Sequence, residues 1–211
     1  MDISIMYKRK CKITFICHGA TIYSEDNRLF DNHNYPPINT NGKQEMERIA
    51  HWLARRAPKV DTIYAAPSLR AMQSAKIISK EYNTDFAIID ELKSKKNGIF
   101  NGLNFEQIET LYPELLEEYH NNRADFVPTG GESLSAFDER MEAIIKEIVT
   151  KNQNKRIIIV AHPDIIQAAI KLALDIPINN QTRIYIPTGS ATQINYYSEW
   201  QSLVYASYVP L

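Results

Sequence analysis

The stretch Ile13-Thr14-Phe15-Ile16-Cys17-His18-Gly19-Ala20 decides how this chain folds, because a short apolar run there ends at a histidine and a glycine. Such a run is typical of a buried strand. Similar runs lie at 60–65, 86–89 and 156–161, and longer segments with a helical period of apolar residues separate them. This alternation predicts a three-layer α/β fold with a mostly parallel central sheet, helices on both faces and an antiparallel C-terminal edge.

The boundaries of the helices follow from capping residues and prolines. Ser68 is suited to an N-cap and Pro163 to the first turn of a helix. Residues 191–197 and 203–209 are predicted to form a hairpin or edge pair. The predicted helices run from 40 or 41 to 57, from 69 to about 82, over 105–111 and 113–120, over 134–148, and from 163 to about 174.

Composition and charge limit the number of domains and the kinds of partner that we expect for this chain. With 211 residues, 44% of them hydrophobic, we expect one domain over residues 1–211. The 24 Lys and Arg nearly balance the 25 Asp and Glu, so neither nucleic acid nor a membrane surface is an expected partner. No apolar run approaches the length of a membrane span. The two cysteines, Cys11 and Cys17, lie too close along one strand to favour a bridge, which favours a reduced, cytoplasmic setting.

Three predicted strand-to-helix junctions carry His18, Arg70 and His162. In a parallel sheet these junctions lie along one edge, so we expect the two imidazoles and the guanidinium to lie close together. Helix N-termini add N–H groups and a favourable dipole. The sequence therefore predicts a site for phosphate or a similar oxyanion. The alternative is that Arg70 is a solvated first-turn residue and His162 a buried, hydrogen-bonded one.

Short motifs that combine glycine, proline, serine and charged residues are spread over nearly the whole chain. They are Cys17-His18-Gly19, Asn27-Arg28, Pro37-Ile38-Asn39 with Gly42, Ala66-Pro67-Ser68-Leu69-Arg70-Ala71 with Ser74-Ala75, Gly98-Ile99-Phe100-Asn101-Gly102-Leu103, Gly130-Gly131-Glu132-Ser133-Leu134 and Val160-Ala161-His162. In this order they resemble the motifs of the histidine phosphatase superfamily, the phosphoglycerate-mutase-like proteins, which carry Arg-His-Gly at the first position.

The resemblance implies a chemistry that needs neither metal nor cofactor. His18 is implied to be the nucleophile that takes the phosphoryl group, while Arg70 and His162 hold the phosphoryl oxygens and stabilise their developing charge. Arg28 is implied to bind substrate from the long loop over residues 20–39. The implied catalytic residues are therefore His18 and His162, and the implied substrate-binding residues are Arg70 and Arg28.

Three positions depart from the family pattern. Cys17 stands where the family has an arginine, and a thiol cannot replace that fork of donors. Ser94 stands at the position of the glutamate that serves as general acid, counted from Leu92, and serine cannot protonate a leaving group usefully at neutral pH. Pro163 replaces a small residue, usually glycine, and removes a backbone N–H. All three changes weaken the expected catalysis.

The size of these losses suggests the kind of substrate. Losing one oxyanion donor costs about 10²–10³ in rate, and losing a general acid about 10²–10⁴. We therefore expect a divergent phosphatase acting through phosphohistidine on a small or protein-borne phosphate with a good leaving group, such as an acyl phosphate, an aryl phosphate or phosphohistidine. The alternative is a catalytically impaired pseudoenzyme that binds a phosphorylated ligand or a partner protein. Mutase activity on phosphoglycerate is not expected without the acid.

Other side chains offer replacements and alternatives. Arg28 or a neighbouring lysine could restore the missing positive charge, and Asp90 or Glu91 the missing acid; the lysines are Lys93, Lys95 and Lys96. A cysteine phosphatase is excluded because Tyr23 occupies the position six residues after Cys17, where that signature has arginine. Zinc binding by Cys17, His18 and His162 is open by ligand type, but no fourth ligand is evident.

Overall fold

A computed structural model describes residues 9–31 and 35–210 of the chain. Its centre is a sheet of strands in the order β3-β2-β4-β1-β5-β6. Within the described part of the chain these strands are β1 (Arg9–Cys17), β2 (Thr62–Ala65), β3 (Phe86–Ile88), β4 (Lys155–Ala161), β5 (Ala191–Tyr197) and β6 (Gln201–Tyr208). The first four strands pair in parallel, whereas β5 runs antiparallel to both β1 and β6. The predicted mostly parallel sheet with an antiparallel C-terminal edge is confirmed.

Helices surround this sheet. They are α1 (Ile22–Glu25), α2 (Thr40–Arg56), α3 (Leu69–Glu81), α4 (Phe105–Leu111), α5 (Pro113–Asn121), α6 (Leu134–Lys151) and α7 (Pro163–Leu174), with 3₁₀ turns over Gly98–Phe100 and Ile178–Arg183. Helix α2 packs against α3, and α6 packs against α7. Residues 157–161 of β4 are all buried, so both faces of the central strand are covered, as expected for a parallel strand inside an α/β domain.

Local sequence explains where the main helices begin. The side chain of Asn39 accepts a hydrogen bond from the N–H of Gly42 at 2.9 Å and caps α2. Ser68 caps α3 in the same way through the N–H of Ala71. Because Ser68 is the N-cap, Arg70 is the second residue of α3. It therefore lies shortly after the end of β2. Pro163 begins α7, where its fixed φ is favourable and no N–H is needed.

The structure differs from the sequence-based expectation mainly in the loops. The segment predicted to be irregular after β1 contains the single helical turn α1, capped reciprocally by Thr21 and Ser24. Residues 32–34 of the same loop lie outside the described residues. The 3₁₀ turns over Gly98–Phe100 and Ile178–Arg183 were not predicted either. Such short elements carry too few apolar residues to produce a periodic signal.

A smaller apolar cluster lies apart from the main core. It is built on Phe100, Ile108 and Phe126, with half-buried neighbours from α5 and from the adjoining loops packed around them. The N–H of Gly102 donates to the carbonyl of Leu29 at 2.6 Å, which joins this cluster to the loop after β1. The cluster therefore forms one wall beside the carboxyl end of β1. Among the described residues, no helix is both long enough and apolar enough to cross a bilayer.

Candidate active site

The backbone around His18 is fixed from several directions. The N–H of His18 donates to the carbonyl of Ala161 at the end of β4, and its own carbonyl accepts from the N–H of Gly189. The N–H of Gly19 donates to the hydroxyl of Ser74 on α3 at 3.0 Å. Hydrogen bonds of the main chain therefore fix His18 at the edge of the sheet. None of them uses the imidazole, so the ring is available to line the cavity.

The imidazole of His18 is held in one tautomer. Its Nδ1 lies 2.9 Å from the carbonyl oxygen of Gly19, and since a carbonyl only accepts, Nδ1 carries the proton. Burial, reinforced by the charge of Arg70, lowers the pKa of His18 to about 3, so the ring is neutral at physiological pH. The Nε2 atom is buried and has no hydrogen-bond partner among the described residues. It therefore presents a bare lone pair.

Arg70 and His162 lie beside this lone pair, as the sequence predicted. The ring centroids of His18 and His162 are 5.3 Å apart, and all three side chains are at most 2% exposed. The guanidinium carbon of Arg70 lies 4.3 Å from the ring centroid of Phe30, which stacks beneath it. Burial lowers the pKa of Arg70 to about 10, with the charge of Asp164 opposing part of that effect, so the group stays cationic at neutral pH. The interpretation of Arg70 as a solvated residue is wrong.

These three side chains line one cavity of about 610 Å³, a volume typical of small-molecule sites. Its outer wall is aromatic and aliphatic, and it is formed by Leu29, Phe100, Phe105, Leu116, Tyr119 and Phe126. The cavity thus combines a polar end, where the imidazoles and guanidinium meet, with an apolar wall large enough to contact the rest of a ligand.

Arg28 lies at the rim of the same cavity. Its side chain is 31% exposed, pairs with Asp26 and donates to the carbonyl of Gly102 at 3.0 Å. The predicted position beside the pocket is therefore correct, but its charge is already engaged by a surface carboxylate. Of the three lysines considered from sequence, Lys95 lines this cavity and donates through Nζ to the carbonyl of Glu132.

Cys17 is fully enclosed beneath the site. Burial, reinforced by the charges of Glu45 and Asp164, raises the pKa of its thiol far above the ordinary value. The thiol is therefore protonated at neutral pH, which makes it a poor nucleophile. Cys11 and Cys17 are both buried, and they do not form a disulfide with each other. Among the described residues, no group of three or more His, Cys, Asp or Glu side chains is placed to hold a metal ion.

The sequence-based reasoning missed Asp164, which lines the cavity in the first turn of α7. Its Oδ2 accepts from the hydroxyl of Ser94 at 2.5 Å and from the N–H of Lys95 at 2.7 Å. Asp90 and Glu91, considered from sequence as alternative acids, are exposed and do not line this cavity. One signal could have found Asp164: it follows His162 by two residues at a helix start on the same sheet edge.

Gln181 was also missed. It lies in the 3₁₀ turn Ile178–Arg183, lines the cavity and is 0% exposed. Neither its amide nitrogen nor its amide oxygen has a hydrogen-bond partner within the described parts of the chain. A buried, unpaired carboxamide is costly to the fold, so its place beside a ligand cavity marks it as a candidate for substrate contact.

A neutral imidazole lone pair beside a buried guanidinium and a second imidazole is the kind of site expected in the class of proteins that transfer phosphoryl groups. The particular family follows from comparison, since residues 13–207 match the family model for the histidine phosphatase superfamily, branch 1. The chain belongs to that superfamily, and the resemblance drawn from its motifs is confirmed.

Curated relatives are distant. Phosphoglycerate mutase-like protein 4 of Arabidopsis thaliana is 26% identical over 164 residues, which cover 77% of this chain and 70% of that protein. Phosphoserine phosphatase 1 of Hydrogenobacter thermophilus is 27% identical over 131 residues, covering 60% of this chain and 59% of the enzyme. A bifunctional protein of Mycobacterium tuberculosis is 25% identical over 92% of this chain, which spans only 52% of that longer protein.

Solved structures share the fold. The alpha-ribazole phosphatase of Shigella flexneri superposes with a TM-score of 0.83 at 19% identity, covering 93% of this chain and 96% of that one. A phosphoserine phosphatase mutant of Entamoeba histolytica, in complex with phosphoserine, superposes with a TM-score of 0.81 at 18% identity, covering 93% and 96%. At these identities the likeness establishes the architecture and leaves the substrate open.

Proposed function

We propose that this chain is a phosphatase that forms a phosphohistidine at His18 and acts on a phosphate monoester with a good, aromatic leaving group. The observation that carries the proposal is the bare Nε2 of His18, neutral and buried, beside the guanidinium of Arg70. A nucleophile needs an available lone pair, and an incoming phosphate needs a cation close by. Both requirements meet at one end of the cavity.

The first step follows from this arrangement. The lone pair on Nε2 forms a bond to phosphorus, the bond from phosphorus to the leaving oxygen breaks, and that oxygen takes the bonding electrons. Arg70 and His162 hold the other phosphoryl oxygens while negative charge develops on them. The bond from Nδ1 to the carbonyl of Gly19 keeps Nε2 aimed at phosphorus throughout.

The leaving group is inferred from two features. Ser94 offers no acid for a poor leaving group, so the departing oxygen has to be stable as an anion. The apolar wall of the cavity, which includes Phe100 and Phe126, favours an aromatic group there. An aryl phosphate meets both conditions. Relatives named as phosphoserine phosphatases support the hydrolysis of phosphate esters in general.

A second candidate is a protein that binds a phosphorylated ligand without turning it over. The enclosed, protonated Cys17 supports this alternative, since the site has no donor at the position of the family's arginine. The carboxylate of Asp164 in the same cavity also opposes the charge of a bound phosphate. Binding without turnover would then depend on Arg70 and His162.

A substrate panel separates the two candidates. Purified protein is incubated with p-nitrophenyl phosphate, acetyl phosphate and glycerol phosphate, and phosphate release is measured beside His18→Asn. We expect turnover of the aryl ester far above the alkyl ester, and a loss of more than about 10³-fold in His18→Asn. Trapping the reaction and measuring protein mass tests for the phosphoenzyme directly.

The matched control is His51→Asn, because His51 is a histidine with an exposed side chain that lies outside the cavity. It is expected to keep full activity. If no substrate is hydrolysed, or if His18→Asn retains the activity, the phosphatase proposal is overturned. Tight binding of p-nitrophenyl phosphate without release would instead favour the second candidate.

A further inference from the structure

We propose that Asp164 is the proton acceptor for the second half of the reaction, in which water discharges the phosphohistidine. This inference rests on the proposed function. It adds a carboxylate for proton transfer, since this chain has Ser94 where the family has its glutamate. It is carried by the contact between Ser94 and Asp164, which lie 70 residues apart in sequence.

The contact places a carboxylate next to the side chain that stands where the family has its glutamate. The Ser94 hydroxyl lies 2.5 Å from Oδ2 of Asp164. A serine is shorter than a glutamate, and the carboxylate of Asp164 reaches the end of that shorter side chain. Both residues line the cavity that contains Nε2 of His18. The chain thus has no carboxylate at this position of the loop and carries one on α7 beside it.

The hydrogen bonds of Asp164 assign it the role of acceptor. Backbone N–H groups only donate, and those of Lys95 and Ile165 point at Oδ2 and Oδ1 at 2.7 Å and 2.9 Å. The Ser94 hydroxyl donates to the same Oδ2. Each carboxylate oxygen therefore accepts at least one hydrogen bond, and none of the three partners is an acceptor placed to receive a proton from Asp164. This arrangement suits a group that takes a proton from water rather than one that donates a proton to a leaving group.

Proton balance fits that role. With an aryl leaving group the first step needs no acid, so an Asp164 that only accepts protons is compatible with it. In the second step the oxygen of water bonds to phosphorus, the P–N bond breaks and its electrons return to Nε2 of His18. The proton lost by water passes to Asp164, directly or through the Ser94 hydroxyl, and then to the departing phosphate.

Transient kinetics of Asp164→Asn with p-nitrophenyl phosphate test the inference. Asparagine keeps the size of the side chain and its acceptor oxygen but cannot take the proton. We expect a burst of nitrophenol equal to one enzyme equivalent, formed as fast as in the wild type, followed by turnover lower by about 10²–10⁴-fold. Phosphohistidine should accumulate in the variant. Asp175→Asn, at the other end of α7 and outside the cavity, serves as the control.

A second variant distinguishes the loss of a proton acceptor from structural damage caused by Asp164→Asn. In Ser94→Glu with Asp164→Asn, the carboxylate returns to the family's own position, and we expect at least part of the lost turnover to return. Equal steady-state rates in Asp164→Asn and wild type, or a faster rate in the variant, would overturn the role of Asp164 while leaving the phosphohistidine proposal intact. Absence of phosphohistidine in the wild type would instead overturn the proposed function itself.

Discussion

The backbones of Gly19 and Gly42 are in contact. A Cβ on Gly19 would lie 2.4 Å from the carbonyl oxygen of Gly42, and one on Gly42 would lie 2.3 Å from the carbonyl oxygen of Ala20. Neither glycine has a positive φ, so closeness rather than backbone conformation requires them. The start of α2 therefore lies directly against the turn that follows His18, and the position of His18 depends on this close approach.

We expect Gly42→Ala to destabilise the fold by about 1–3 kcal/mol, because a methyl group at 2.3 Å from a backbone oxygen forces α2 away from the turn. Urea denaturation measures the change. Activity on an aryl phosphate should also fall, since the displaced backbone carries His18. Lys43→Ala, one residue further along α2 and exposed, is the control. A shared unfolding midpoint for the two variants would contradict the contact.

The pH dependence of stability follows from the neutral state of His18. Its pKa falls from 6.5 to about 3 on folding, because of burial and the charge of Arg70. Between these values the unfolded chain binds a proton that the folded chain does not, so stability rises with pH there and falls on acidification. On acidification from pH 6.5 to pH 3, we expect the free energy of unfolding to fall less in His18→Asn than in wild type. The difference should grow by on the order of 1 kcal/mol for each pH unit.

Urea denaturation at several pH values measures this difference. Carboxylates contribute to acid denaturation in both proteins, so the quantity of interest is the gap between the two curves. His51→Asn provides the comparison, because His51 has an exposed side chain. If wild type and His18→Asn lose stability in parallel on acidification, then the imidazole is not held neutral by its surroundings.

The polar end of the site was predictable because it depends on topology. Strands that run in parallel end at one edge, so the junctions bearing His18, Arg70 and His162 had to meet once the alternation of strands and helices was recognised. Each of these residues could be assigned to a junction because it lies only a few residues along the chain from an apolar run or an N-cap residue. The structure confirms their proximity, while their catalytic roles stay a prediction.

The contact between Ser94 and Asp164 could not be predicted in the same way. It depends on how the loop after β3 packs against the start of α7, and packing of irregular segments leaves no periodic signal in the sequence. The same holds for Gln181, whose burial comes from a 3₁₀ turn folded over the cavity. In both cases the residue type alone suggests an exposed side chain.

Gln181 offers a test of substrate contact. Methionine has a similar length and no amide, so Gln181→Met removes two buried polar atoms that have no partner in the described structure. We expect the free energy of unfolding to rise by about 1–3 kcal/mol. If the amide contacts the substrate, kcat/KM should fall in the same variant. Differential scanning calorimetry and steady-state kinetics measure the two effects.

The matched control is Gln153→Met, which replaces an exposed glutamine outside the cavity. It should change neither the melting temperature nor kcat/KM appreciably. A fall in stability for Gln181→Met would mean that its amide is satisfied in solution. If stability rises and the kinetics do not change, Gln181 does not contact the substrate, and its burial has no functional explanation.

Cys17→Arg tests whether a missing cation at this position limits the site. Cys17 is fully enclosed, so Cys17→Arg has to displace packed neighbours and is expected to lower stability by about 1–3 kcal/mol. The charges of Glu45 and Asp164, which act on the thiol, would compensate part of the cost of burying a guanidinium. If the new fork of donors reaches the phosphate, hydrolysis should rise by about 10²–10³.

Phosphate release from p-nitrophenyl phosphate and glycerol phosphate measures this gain, with Cys17→Met as the control that adds length without charge. Adding Ser94→Glu is expected to extend the gain to the alkyl ester only when Asp164→Asn is also present. Otherwise two negative charges lie side by side in the cavity, and both repel the phosphate group. A gain for Cys17→Met equal to that for Cys17→Arg would show that packing, rather than a missing cation, limits the site. The gain of the triple variant over wild type on glycerol phosphate then measures how much Cys17→Arg and Ser94→Glu together add to catalysis.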